Sequence, residues 1–194
     1  MPEHPVSSTH PLPPPTTEEE RLLWLRLLCS HRVGISTFFR LMHEHGTAAA
    51  AIEALPKIAQ QGGIESYTAC SIQRIHAEIQ AGAQAQAHLI FFGSRDYPTA
   101  LMTIPNPPPA LWVTGNPQIL SRPMVAIVGA RNASSLGTRM ARYLAKGLGE
   151  KGYVTVSGLA RGVDTAAILA RLRQAQSRLW QGELTFYIPP KMPN

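Results

Sequence analysis

The order of apolar and polar positions divides the chain near residue 88. Before that point apolar residues recur at helical spacing. Thr17-Glu18-Glu19-Glu20 has the form of a capping box, with acids at the positive end of a new helix, and Leu22, Leu23, Trp24, Leu25 and Leu28 make that helix strongly apolar. Gly34 predicts a turn into a second helix through Phe38, Leu41 and Met42, "AAAAIEAL" a third, and segment 65–87 a fourth. From His88 the period changes. "HLIFF", "ALWVTG", "MVAIVG" and "YVTVSG" read as strands at 88–92, 110–114, 124–128 and 153–157, the third continuously apolar, as a strand covered on both faces should be. Residues 138–150 lie between the last two as a helix, with Met140, Ala141, Leu144, Ala145 and Leu148 expected on one face. Strand, glycine turn, helix, strand is a βαβ unit. The expected fold is therefore α/β, a Rossmann-like domain with a parallel sheet, preceded by a small all-α domain.

Composition refines this without changing it. The 194 residues suit one ordinary domain and a small one, and 44% apolar content is ample for a core. Six prolines in the first eighteen residues, with no apolar core among them, exclude a signal peptide and predict a leader without structure over 1–16. "LLWLRLLC" is too short to span a bilayer, and Cys29 and Cys70 have no metal spacing, so reduced thiols in a cytoplasmic protein are expected. Fourteen of the eighteen basic residues are arginine, a bias toward bidentate contact with phosphate or carboxylate. Half of the net charge of +6 comes from residues 168–194, where Arg171, Arg173, Arg178 and Lys191 face Glu183 alone. The remaining excess is a mild hint of an anionic partner.

Two glycine turns, "GARNASSLG" and "SGLARGVD", fall at the carboxyl ends of consecutive predicted parallel strands, the edge where open α/β sheets bind ligands. Glycine there allows close backbone approach, the following helix offers N–H groups, and Arg131 and Arg161 add guanidinium forks. Such a site would hold phosphates. Gly129 and Gly158 are equally readable as turn glycines, Asp164 as a helix N-cap or as a group orienting Arg131 or Arg161, and Ser157 as a backbone cap. The pattern is neither G-x-G-x-x-G nor G-x-x-x-x-G-K-[ST], which disfavours a dinucleotide or a P-loop nucleotide. No metal-ligand set or nucleophile–base pair stands out, and His43 and His45 are two apart on a helix, so they do not share a face.

With "VAIVGARNAS", "VSGLARGVDTAA" and the upstream "DYPTAL…IPNPPPALWVTGN", the chain resembles the DNA-processing protein A family (DprA, also called Smf) from about residue 20 to 167. The helical part over 17–87 resembles that family's sterile-alpha-motif-like, helix–hairpin–helix amino-terminal domain. The resemblance implies an extended Rossmann domain over 88–167 that binds single-stranded DNA without sequence preference. It implies no catalysis and no cofactor. It also implies a part in natural transformation, protecting incoming DNA and loading the RecA recombinase, with a homodimer in the full-length form. Carried over by position, Gly129, Arg131, Ser157, Gly158, Arg161, Gly162 and Asp164 would form a phosphate-facing pocket. The alternative is a phosphoribohydrolase-like nucleotide enzyme, although its P-G-G-x-G-T-x-x-E signature is absent.

Beyond Ala167 the resemblance stops. The family continues with a histidine, a Gly-Ala-Leu helix, a strand, a Gly-x-Asp turn and Tyr-Pro-Pro-Glu-Asn, whereas Ile168 opens "ILARLRQAQSRLWQGELTFYIPPKMPN", which shows no clear strand after its helix. Codon overlaps in the shifted frame are informative here. Trp180-Gln181 forces alanine, Phe186-Tyr187 leucine and Met192-Pro193 alanine; Tyr187-Ile188 allows only tyrosine or histidine, and Lys191-Met192 only asparagine or aspartate. All are compatible with the family's continuation. The tail over 168–194 therefore reads as a frameshifted translation, and the chain as a truncated copy or a pseudogene product without activity.

Overall fold

The computed structural model describes residues 12–177 and 185–187, and the chain forms two compact units that divide at Val113 and Thr114.

In the first unit, α1 (Glu18–Cys29) begins at the expected capping box. Thr17 Oγ1 accepts the Glu20 N–H, and the Glu20 carboxylate accepts the Thr17 N–H at 3.1 Å. The Thr16 N–H, the Thr17 N–H and the Thr16 hydroxyl all donate to the Glu20 carboxylate and hold that carboxyl below the ordinary carboxylate range. Helices α2 (Ile35–His45), α3 (Ala48–Gln61) and α4 (Ile72–Gln84) follow. The turn into α2 differs from the expectation in its details. Gly34 is the N-cap with an ordinary extended backbone, and the left-handed residue is Arg32, at φ 59°. Apolar faces of all four helices converge on Trp24, Leu27, Phe38, Leu41, Ile52 and Ile75, with Trp24 and Phe38 meeting edge to face at 5.1 Å.

Strands β1 (Ala87–Phe91) and β2 (Ala110–Thr114) are where the sequence puts them, but they do not pair with the strands at 124–126 and 154–156. Up to Val113 they belong to the first unit. The reason is aromatic: Phe91 packs on Trp24 at 5.9 Å, and Phe92 on Phe39 at 5.1 Å, so β1 is welded to the helical core. A third strand, β5 (Thr185–Tyr187), lies beside β2, where the sequence showed no clear strand. Three residues of β-favouring Thr-Phe-Tyr suffice because β2 offers an edge to pair with. Two further expectations meet the structure here. Residues 12–16, expected to lack structure, pack: Leu12 touches the helical core and Pro15 is buried. Residues 1–11, 178–184 and 188–194 lie outside the described residues.

A polar clamp closes the end of α1. The Ser30 hydroxyl donates to Arg26 O at 2.8 Å and accepts the Cys70 N–H at 3.0 Å, while Arg26 Nε donates to Cys70 O at 2.7 Å. Burial, together with the neighbouring Cys29 thiol, pushes the Cys70 thiol up to about 12. A raised thiol pKa keeps the proton in the folded state, so its stabilising effect is complete below the unfolded value and fades as pH climbs toward 12. We therefore expect Cys70 to resist alkylation by iodoacetamide at pH 8 until denaturant is added. Peptide mapping of rapid labelling on native protein would contradict this burial if it found Cys70 modified.

The second unit is the βαβ element. β3 (Met124–Ala126) and β4 (Val154–Val156) pair in parallel, with Met124 opposite Val154 and Ala126 opposite Val156. α6 (Ser135–Glu150) connects them and α7 (Val163–Ser177) follows, while the four-residue α5 (Thr99–Met102) belongs to the first unit. Ile127, Ala141, Ala145, Ala166 and Ala167 form a small core between sheet and helices. The expected five-residue face of α6 is narrower than its periodicity suggests. Ala141 and Ala145 are buried and Leu148 half-buried, but Met140 and Leu144 are 50% and 46% exposed. Alanines permit close approach along one seam, which leaves the larger residues beside it outside. Val128, read as part of a strand covered on both faces, is 76% exposed.

Candidate nucleic-acid interface

The site is built where β3 and β4 end. Both strands run in the same direction, so the loops that follow them emerge at one edge. What brings the loops into contact is Gly162. Its φ is +83°, and a Cβ there would stand 2.2 Å from the Ala130 carbonyl oxygen and 2.6 Å from that of Arg131. No side chain fits. The loop after β4 therefore lies directly on the backbone of the loop after β3, and the Val163 N–H donates to Ala130 O at 3.3 Å.

Each expected residue now has a place. Gly129 is required by packing rather than by a turn, since a Cβ would fall 2.8–2.9 Å from three Val163 side-chain atoms. Gly158 gives its N–H to Asp164 Oδ2 at 3.0 Å. Asp164 is buried in the first turn of α7 and forms no ion pair with Arg131 or Arg161 among the described residues. Neither role open to it in the sequence is the one it takes: it ties the loop shut from within. Ser157 continues the alternation of β4 on the side of Ile127, and its hydroxyl is closed off from solvent with no hydrogen-bond partner among the described residues. Arg131 and Arg161 are both exposed, and neither forms an ion pair among the described residues.

The start of α7 is less open than a helix N-terminus usually is. Val163 donates to Ala130 O, Thr165 to Ala160 O and Ala166 to Gly162 O. What stays open to solvent at this edge is loop backbone around Gly129 and Gly158 and the two guanidinium groups. One residue escaped the sequence reading. Leu159 sits in the left-handed region at φ 56° and is 52% exposed at the loop tip. Nothing in its residue type signals this, because leucine in that conformation carries strain of about 1–3 kcal/mol that only the closed loop sustains.

Among the described residues no group of three or more metal-ligating side chains occurs, and no helix is long and apolar enough to cross a membrane.

This arrangement coincides with two matched families. The model for DNA recombination-mediator protein A matches residues 88–179, and that for the DprA-like N-terminal HHH domain matches residues 18–81. The chain belongs to the DprA/Smf family. The recombination-mediator match carries both site loops and runs past Ala167 to residue 179. Among relatives, Protein Smf of Escherichia coli (strain K12) is 30% identical over 156 residues, covering 78% of this chain and 41% of that protein. The DNA processing protein DprA of Streptococcus pneumoniae is 43% identical over 77 residues, which is 40% of this chain and 27% of that one. The X-ray structure of DNA processing protein A from Streptococcus pneumoniae superposes with a TM-score of 0.55 at 25% identity, over 82% of this chain and 55% of that one. The sequence matches thus cover less than half the length of these curated relatives. The DprA/Smf assignment accounts for both the helical amino-terminal unit and the Rossmann-like βαβ element.

Proposed function

We propose that this protein binds single-stranded DNA by its phosphate backbone, without sequence preference and without chemistry of its own. The observation that carries the reading is the junction at Gly162, which seats two uncompensated arginines, Arg131 and Arg161, on adjoining loops at one strand edge. In this reading the guanidinium groups of Arg131 and Arg161 hold phosphate oxygens, and Gly129, Gly158 and Gly162 let the loop backbone approach the strand. Ser157 and Asp164 shape the pocket from inside. Planar guanidinium forks suit phosphate, and backbone contacts carry no sequence information. We extend the proposal to the setting that the family's description as a recombination mediator supports. There the protein acts in the cytoplasm during natural transformation, protects incoming strands and passes them to the RecA recombinase, working as a homodimer in full-length form.

Titration of a fluorescein-labelled oligo-dT at several salt concentrations tests the core of this. Arg131→Ala and Arg161→Ala should each weaken binding to a similar degree for oligo-dT and a mixed-sequence strand. Each should also reduce the salt slope by about 0.7, the loss of one phosphate contact on a single strand. Unchanged affinity and slope in both variants would remove the pocket.

A further inference from the structure

The outer face of α6 carries a constellation that the loop site does not use. Tyr143 is 74% exposed, an unusual position for a tyrosine with no neighbouring ring among the described aromatic contacts. Helical spacing puts Arg139 one turn before it and Lys146 one turn after it, both exposed. Leu136 and Met140 flank its other side at 62% and 50% exposure. One turn further on stands Gly147, where even an added Cβ would meet nothing within 4 Å, so no side chain overhangs the ring from that direction. Lys146 lies 3.9 Å from Glu150, but both side chains are more than half exposed and the pair is weak. Arg139 enters no ion pair among the described residues.

We infer that this face is a second contact for single-stranded nucleic acid, on which a base stacks against Tyr143 while Arg139 and Lys146 take the flanking phosphates. The inference rests on the proposed DNA binding and deepens it. Charge complementarity selects the occupant: cations on one side of an exposed aromatic, with apolar surface on the other, match a strand that offers phosphate, π-face and sugar together. A purely apolar partner would leave the cations unused. Tyr143 stands eight residues into a helix that begins just after the Arg131 loop, about 12 Å along its axis at 1.5 Å per residue. A strand leaving the loop along α6 would therefore cross it.

The test compares two labelled strands of equal length, oligo-dT and an abasic deoxyribose-phosphate oligomer, against the full 194-residue chain. Tyr143→Ala should weaken oligo-dT binding roughly 5- to 100-fold. It should leave abasic binding unchanged, and Tyr143→Phe should keep oligo-dT affinity near that of the parent. Arg131→Ala should weaken both strands, which separates the two sites. Equal oligo-dT affinity of Tyr143→Ala and parent, with Arg131→Ala still impaired, would overturn this inference and leave the loop site standing. Failure of the parent to bind either strand would overturn both. Sedimentation adds a third outcome: if Tyr143→Ala converts a dimer into a monomer, the face belongs to contact between copies, and the stacking role is lost. The exposure of Tyr143 makes a folding defect an unsuitable excuse, and circular dichroism of the variant should match the parent.

Discussion

Gly162→Ala should abolish oligo-dT binding and destabilise the βαβ unit by roughly 3 kcal/mol or more. Two separate costs add. The residue holds φ +83°, which a Cβ disfavours by about 1–2 kcal/mol. The larger cost is steric, because that Cβ would lie 2.2 Å from a backbone carbonyl, and backbone does not swing aside as a flexible side chain can. Relief requires the two loops to part. Parting them breaks the Val163 N–H to Ala130 O bond and separates Arg131 from Arg161, so binding and stability fall together. Thermal unfolding by far-ultraviolet circular dichroism and titration with labelled oligo-dT read the two effects. A Gly162→Ala variant with parental melting and parental affinity would show that the loops are not locked as described. Gly137→Ala is the control. Gly137 lies in α6 with only ordinary contacts at 3.5 and 3.7 Å, so alanine there should be neutral or slightly stabilising.

Phe38→Ala should cost the helical unit about 3–5 kcal/mol, enough to unfold a marginal domain. Phe38 is completely buried and is the centre of an aromatic chain, with Trp24 at 5.1 Å and Phe39 at 5.5 Å, both edge to face. Removing the ring leaves a cavity that rigid neighbours cannot fill, and it also loses the two ring contacts. Trp24 in turn holds Phe91, so β1 should loosen with the helices. Denaturant titration followed by tryptophan fluorescence should show a lower midpoint. Hydrogen exchange should show faster exchange in α1, α2 and β1 together. A loss confined to α2, with β1 still protected, would refute the coupling. Phe38→Leu, which keeps most of the volume, should lose much less.

The comparison of these two positions shows what local sequence carries. The start of α1 was legible because a capping box is a contact among residues three apart, and the helical core because 3.6-residue periodicity sorts Trp24, Phe38 and Ile52 onto faces. The strands of the βαβ unit, their parallel pairing and the two glycine loops were legible for the same reason: each is written within a short run. Residue chemistry also pointed to Arg131 and Arg161, the arginines of the proposed site.

Long-range contact decided the rest. Which glycines are indispensable, and why, depends on what approaches them: Val163 at Gly129 and the Ala130 carbonyl at Gly162, more than thirty residues away in each case. Asp164 could be read as a cap or as an arginine partner, and only the fold shows it turned inward to the Gly158 N–H. The grouping of β1 and β2 with the helices was set by ring packing between Phe91 and Trp24, which no periodicity encodes. The exposure of Tyr143 was hidden too, because a helical face looks the same in sequence whether a neighbour covers it or not. Sequence thus determined the elements and the chemistry available to them. Tertiary structure chose the orientation, because burial and close approach are properties of pairs that are distant along the chain.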